Sequence, residues 1–258
     1  LDNDVMFATE RHQAIVDRAR LAGRVDVLTL ATDLDVTPET IRRDLTTLER
    51  RRLLRRTYGG AVPVERLSFE PDLADRETRH VEEKQRIARA ALEELPDQGA
   101  VLLDAGSTTA QLARLIPDDR EFTVVTNGLT VAMTLAEHQK ITLHLIGGRI
   151  RGRTLATVDD WAARSLAEVF VDVAFIGANG VSVARGLTTP DRSEAAIKRA
   201  MIASARRTVV LADHTKFEAD HFARFGDLAD VDVLITDSLL DPDLVVEVET
   251  AGPRVVQA

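Results

Sequence analysis

The chain has 258 residues, enough for one large or two smaller hydrophobic cores, and its 45% hydrophobic and 29% charged content is that of an ordinary soluble globular protein. Cysteine is absent, which excludes disulfides and thiolate metal sites. No apolar run approaches the ~18 residues of a membrane span, and no basic-then-apolar leader opens the chain. A cytoplasmic protein with no membrane partner is expected.

The formal net charge is -9, but it is unevenly divided. Residues 1–62 carry 11 Arg against 10 acids, whereas the remainder carries 22 basic and 32 acidic residues. Within residues 39–58, seven arginines (Arg42, Arg43, Arg50, Arg51, Arg52, Arg55, Arg56) meet three acids. This asymmetry points to two modules, one of them facing a polyanion. Arginines on a helix are often only a solvated face, so charge alone does not assign a function.

The opening "LDNDV" is unlike the rest of the chain and Met6 is an alternative start, so no function is placed on residues 1–5. In "TERHQAIVDRARLAG", Ile15, Val16, Ala19 and Leu21 fall at helical spacing and Gly23 supplies a stop. "VDVLTLATDLDV" reads as a second short helix carrying Leu28, Leu30 and Leu34. Thr37-Pro38 then gives an N-cap followed by proline at the first helical position. In the third helix Ile41, Leu45 and Leu48 form an inward stripe.

Opposite that stripe lie Glu39, Arg43, Thr46, Thr47 and Arg50, flanked by Thr40 and Arg42. Short polar side chains beside arginines suit a helix entering a major groove, where Arg takes guanine O6 and N7 and Thr reaches base edges, methyls or phosphates. The first helical turn also offers free N–H groups to a backbone phosphate. "RRLLRRTYGGAVPV" reads as a two-stranded wing around a Gly-Gly turn, with Leu53 and Leu54 inward and Arg55 and Arg56 toward phosphates. Three short helices and a wing make a winged helix-turn-helix; a small helical bundle with a solvated arginine face is the plainer alternative. The whole stretch, above all "TPETIRRDLTTLE" and "RTYGGAV", resembles the N-terminal domain of the DeoR family of bacterial transcription regulators. The resemblance implies that Thr37, Thr40, Arg42, Arg43 and Thr47 face double-stranded operator DNA.

A polar stretch containing Pro71 comes next and reads as a linker, giving expected boundaries of 8–63 for the DNA-binding domain, 64–80 for the linker and 81–258 for the second domain. From Val81 the pattern is helical, with Ile87, Ala91 and Leu95 on one side. Short β-branched runs then alternate with helical segments such as Thr109–Ile116, Leu129–His138, Trp161–Phe170 and Arg192–Arg207. This alternation predicts an α/β domain built on a mostly parallel sheet, to which "RVVQA" adds a final strand.

Ligands of such sheets bind beyond the carboxyl ends of the strands. Those ends are Asp104 with "AGSTT", Thr126–Gly128, Gly147–Gly148, Ala178–Gly180 and Asp213–Lys216. "GSTT" leads into a helix, whose N–H groups and hydroxyls can cradle a phosphate, and Lys216 adds a point charge. Asp104 and Asn127 have the chemistry for sugar hydroxyls. One Gly/Ser/Thr-rich turn is weak evidence, but five polar strand ends on one edge favour a small phosphorylated ligand.

The runs "LDAGSTTAQLA", "VVTNGL", "LIGGRIRGRTLATV", "DVAFIGANGVSVARGLTTPDRSEAAIKRAMI" and "VVLADHTKF" are similar to the effector domain of DeoR regulators. The resemblance implies a fold like ribose-5-phosphate isomerase and CoA-transferase domains, a phosphorylated-sugar effector, and a homo-dimer or tetramer. It also implies the ligand residues Asp104, Ser107, Thr108, Thr109, Thr126, Asn127, Gly147, Gly148, Asn179, Gly180, Glu194, Lys198 and Lys216. "TVDDWAARSL" stands where many relatives have a Val-Gly-Pro-like turn, and the pairing of "RGRTLATVDDWA" with "RGLTTPDRSEAAIKRAMI" looks most like regulators of fructose utilisation, whose effector would be fructose 1-phosphate. The function expected is a repressor relieved by such a sugar phosphate, with no cofactor and no catalytic residue. The alternatives are a DeoR regulator of another phosphorylated metabolite, or an isomerase-like enzyme using Asp104, Glu194 and Lys216 as acid–base groups.

The remaining residues carry little chemistry. His214 and His221 are seven apart with no third ligand, so no metal is expected. Arg149, Arg151 and Arg153 could assist a phosphate, but the favoured reading is a solvated basic loop. Trp161 reads as a core or interface residue, and Phe217, Phe222 and Phe225 as packing under a loop or across a subunit contact.

Overall fold

The computed structural model describes residues 8–51, 53–57, 59–63 and 70–258, apart from the side chains of Thr9, Arg20 and Leu21. Arg52, Tyr58 and the Leu21 side chain, each used in the sequence reading, lie outside the described set. The chain divides into two compact units, residues 1–66 and 67–258.

The first unit runs α1 (Ala8–Ala22), β1 (Val25–Asp26), α2 (Val27–Asp33), α3 (Pro38–Arg50), β2 (Leu54–Thr57) and β3 (Gly60–Pro63). Ile15, Leu30, Ile41, Leu45, Leu48 and Leu54 share its core. The connection from α2 to α3 passes through Asp35 at φ 49°, a left-handed position that a short polar side chain tolerates. Thr37 caps α3, its hydroxyl accepting from the Thr40 amide at 3.2 Å.

Two details depart from the sequence reading. Val25 and Asp26 are not helical but form a strand on β3, so the wing is three-stranded in the order β1-β3-β2. Glycine at position 60 permits this: a Cβ there would lie 1.9 Å from the Val25 carbonyl oxygen. The helix then begins at Val27, capped by the Asp26 carboxylate, which accepts from the Leu28 and Thr29 amides at 2.8 and 3.1 Å. Its inward stripe is therefore Val27, Leu30 and Ala31, and Leu28 is 64% exposed.

The second unit opens with α4 (Leu73–Glu77) and α5 (Val81–Leu92), then β4 (Ala100–Leu103), α6 (Ser107–Leu115), β5 (Thr123–Thr126), α7 (Leu129–Leu135) and β6 (Thr142–Leu145). A hairpin of β7 (Arg149–Arg151) and β8 (Ala156–Val158) precedes α8 (Asp160–Ala167), β9 (Val171–Gly177), β10 (Gly180–Ser182), β11 (Gly186–Thr189) and α9 (Arg192–Ala203). The chain ends with β12 (Ala205–Leu211), β13 (Ala223–Gly226), β14 (Val233–Thr236), α10 (Pro242–Thr250) and β15 (Arg254–Gln257).

Seven strands form one wholly parallel sheet in the order β15-β14-β12-β9-β4-β5-β6, and β10, β11 and β13 form a small antiparallel one. Alternate strand residues feed two cores. Leu103, Val124, Phe175, Leu211 and Ile235 pack with Ile87 of α5 and Leu112 of α6, whereas Leu102, Val125, Ile176, Val210 and Leu234 pack with Leu166 of α8 and Met201 of α9. This is the pattern of a parallel sheet covered by helices on both faces. The segment read as one helix over Arg192–Arg207 is α9 followed by β12, broken at Ser204.

In the stretch read as a linker, residues 70–80 lie against this unit. Glu70 is 2% exposed, and the Leu73 amide donates to the Arg153 carbonyl at 2.9 Å. The anchors are polar, so the sequence pattern resembled a linker. No helix among the described residues is long and apolar enough to cross a membrane.

A candidate operator-reading face and a candidate effector site

On the first unit, Thr37, Arg42 and Arg43 are exposed and Thr40 and Thr47 half-buried along the outer face of α3. Arg42 pairs with Glu39 at 3.2 Å, and Arg43 makes no side-chain hydrogen bond or ion pair among the described residues. The Thr47 hydroxyl donates to the Arg43 carbonyl at 3.0 Å, which leaves its methyl and lone pairs for a groove. Arg55 and Arg56 are exposed on β2. The Arg56 amide donates to Glu49 at 2.9 Å and its guanidinium to the Thr46 hydroxyl at 3.3 Å. Thr46 and Glu49 thus fix the wing against α3.

Beneath that face, Asp44 fastens α3 to α1. It accepts from Arg11 Nε at 2.6 Å and pairs with His12 Nε2 at 2.9 Å. Burial pushes the Asp44 carboxyl up, but Arg11 and His12 outweigh it and hold it below the usual carboxylate range.

On the second unit the parallel strands bring their carboxyl ends to one edge. From β4 the chain proceeds through β5 and β6 one way, and from β9 through β12, β14 and β15 the other, so the crevice of such a fold opens between β4 and β9. Asp104 follows β4 and Gly177 ends β9. Asp104 Oδ2 accepts from the Gly177 amide at 3.0 Å and from Lys198 Nζ, which also donates to the Gly177 carbonyl at 2.8 Å. Lys198 projects from α9 and lies 5.4 Å from the centroid of Phe225. Burial pushes the Asp104 carboxyl up, against the pull of Lys198 and the Gly177 amide.

Beside this pair starts α6. Its first amides, from Ser107 to Thr109, have no acceptor among the described residues, as helix starts leave them. Ser107 and Thr108 are largely buried residues, and their hydroxyls likewise make no hydrogen bond among the described residues. Open donors at a positive helix end are the groups an anion uses.

Next to β9, β12 leads into Asp213, which caps a 3-10 turn over His214–Lys216. Burial opposes the Asp213 charge, but Lys216, the Thr215 hydroxyl, Lys84 and His80 outweigh it and hold the carboxyl low. His214 Nδ1 lies 3.0 Å from Asp237 at the end of β14, and its ring meets that of His80 edge-on at 5.6 Å. Burial lowers the Lys84 ammonium to about 8. Lys216 is half-buried and forms no ion pair within 4 Å among the described residues.

The predicted ligand residues therefore separate. Asp104 and Lys198 meet between β4 and β9, Ser107 and Thr108 follow at the start of α6, and Lys216 lies after β12, the strand next to β9. Thr109, Thr126 and Asn127 are committed to the fold. The Thr109 hydroxyl donates to the Asp104 carbonyl at 2.7 Å and Thr126 to the Leu103 carbonyl at 2.7 Å. Asn127 accepts from the Ala105 amide and donates to the Thr157 carbonyl, at 3.0 and 3.2 Å. Gly147 and Gly148 lie at the end of β6, two strands from Asp104. The Asn179 amide carbonyl accepts from Thr189 at 3.0 Å, and a Cβ on Gly180 would lie 2.1 Å from the Ala219 carbonyl oxygen. Glu194 is engaged by Arg151 at 3.0 Å and by the Thr154 hydroxyl.

Arg151, read as solvated, is 17% exposed and paired with Glu70, Asp191 and Glu194. Trp161 is 70% exposed and Phe222 55%, whereas Phe217 and Phe225 are buried. Sequence reasoning missed His80, Lys84 and Asp237. Lys84 did leave a signal: it occupies the stripe Lys84, Ile87, Ala88 and Ala91, a cation in an apolar register.

Comparison with known proteins matches the geometry at both ends of the chain. Residues 11–66 fit the DeoR-like helix-turn-helix domain and residues 79–238 the DeoR C terminal sensor domain. The chain belongs to the DeoR family of transcriptional regulators. It is 38% identical to the HTH-type transcriptional regulator GlpR of Haloferax volcanii, over 97% of this chain and 98% of that one. It is 34% identical to the uncharacterized HTH-type transcriptional regulator FruR of Bacillus subtilis and 30% identical to the glycerol-3-phosphate regulon repressor of Escherichia coli, each over 90% of this chain and 92% of the relative. These relatives are named as DNA-binding regulators, not enzymes, and the isomerase-like alternative is set aside on that ground. Among solved structures, ribose 5-phosphate isomerase A of Methanocaldococcus jannaschii aligns at a TM-score of 0.38 and 20% identity, over 52% of this chain and 53% of that one.

Proposed function

We propose that this DeoR regulator is a repressor whose operator binding is relieved by a phosphorylated sugar or polyol, with fructose 1-phosphate as the first candidate. What carries the reading is the crevice between β4 and β9, where the open first turn of α6 and the ammonium groups of Lys198 and Lys216 stand beside buried carboxylates. The helix start and the two ammoniums suit a phosphate; Asp104 and Asp213 suit hydroxyls. A neutral sugar would leave the open first turn of α6 and Lys216 without an anion to bind. The names of the relatives divide between a glycerol-3-phosphate repressor and a FruR regulator, so glycerol 3-phosphate is the second candidate.

On the DNA side, α3 enters the major groove with Arg42 and Arg43 toward bases and phosphates, while Arg55 and Arg56 on the wing hold the backbone. One such head covers a half-site, so the acting species is a dimer or a tetramer. Repression and release are then linked binding equilibria of one molecule.

Calorimetric titration of fructose 1-phosphate, glycerol 3-phosphate and the unphosphorylated compounds tests the site. The phosphate should bind and the free sugar should not, and Lys216→Ala should weaken the phosphate by ~1.5–3 kcal/mol, the range of a charge-assisted bond. Equal binding of phosphorylated and free sugar, or an unaffected Lys216→Ala, would remove the phosphate from this crevice.

A further inference from the structure

Residues 70–77 lie along the sensor unit like a strap, and its fastening runs to α9, the helix that carries Lys198 to Asp104. Glu70 accepts from Arg151 Nη1 at 2.5 Å, and its backbone carbonyl accepts from Arg153. Arg151 also donates to Glu194 at 3.0 Å and pairs with Asp191 at 3.3 Å; the two carboxylates stand at the start of α9. One turn along the same face of α9, Lys198 holds Asp104. The far end of the strap is tied by Lys84, whose Nζ donates to the Arg79 carbonyl at 2.6 Å and to the Arg76 carbonyl.

Given the effector-site reading above, we propose that this strap couples the two activities: α9 acts as a lever between the Asp104–Lys198 pair and the Arg151–Glu70 clasp, and opening the clasp frees residues 70–77, which precede the sensor sheet in the chain. Three observations favour a switch over a plain brace. The path Asp104–Lys198–Glu194–Arg151–Glu70 is continuous, each step a direct contact or a single helical turn. A buried ion-pair network of this kind adds little net stability, because desolvation cancels most of its attraction. In this one, Glu70 Oε1 and Arg76 Nε and Nη2 are buried without a hydrogen-bond partner among the described residues. A phosphate that draws Lys198 toward itself shifts Glu194 with it, because a helix moves as one body.

The test uses the full chain and Glu70→Gln, which keeps the shape and removes the charge. Operator affinity without ligand should fall toward that of phosphate-saturated wild type, affinity for fructose 1-phosphate or glycerol 3-phosphate should hold or rise, and the factor by which saturating phosphate weakens operator binding should fall at least ~fivefold. An unchanged release factor overturns the proposal. Should Glu70→Gln fold poorly, Arg151→Lys, which keeps the charge but loses the fork, is expected to lower the release factor in the same direction. If neither phosphate affects wild type, the effector reading fails separately. The strap is then judged by hydrogen exchange without ligand: Lys198→Gln should speed exchange of the Leu73 amide relative to the β5 amides, and equal exchange sinks the strap.

Discussion

Arg43 and Lys216 have the same standing in their two units: each is a cation that the described structure leaves without an ion pair within 4 Å, on the face where its ligand would arrive. For Arg43 the consequence is measurable. Arg43→Ala should weaken operator binding by ~1–3 kcal/mol and relax the preference at one base pair if the side chain reads guanine. Equal losses on operator and random DNA would assign it to a phosphate. The outer residues of α3 were legible from the sequence because helical periodicity fixes which residues share a face. The sensor residues were only half legible. A polar residue at a strand end looks the same whether it awaits a ligand or ties two loops together, and Thr126 and Asn127 do the latter. Arg151 was misread for a related reason: its carboxylate partners lie 81, 43 and 40 positions away in the chain.

At the scale of elements, α3 is held by its apolar stripe and by one carboxylate. Asp44 is held low in the folded state, so the stability it contributes is full above the ordinary carboxylate value of about 4 and is lost as pH falls through its lowered folded value. Asp44→Ala should cost the first unit ~1–3 kcal/mol at neutral pH. Calorimetry of the full chain should show that gap closing on acidification below about pH 4; a gap independent of pH would mean that packing, not the ion pairs, fastens α3 to α1. Most elements were legible, because β-branched runs bounded by turns and helical stripes are local signals. The exceptions have local causes too. β1 is two residues long and forms only because Gly60 lets Val25 approach, and α4 is anchored by ion pairs that carry no periodic pattern.

For the whole molecule, a parallel α/β unit was legible from the alternation of runs, but the strand order was not, since which strand pairs with which is a long-range outcome. That order places the chemistry: it sets β4 beside β9 and so sets Asp104 against Lys198. A regulator built from two linked sites must obey reciprocity, so a phosphate that weakens operator binding by a given factor is itself bound more weakly by that factor on operator DNA.

The most direct test is fluorescence anisotropy of the full chain on labelled DNA from upstream of its own gene, at one near-physiological salt concentration, with fructose 1-phosphate, glycerol 3-phosphate and free fructose titrated in turn. Tight binding, released by a phosphorylated compound and untouched by free fructose, is the expected result. DNA bound equally well whatever phosphate is present would contradict a phosphate-relieved repressor.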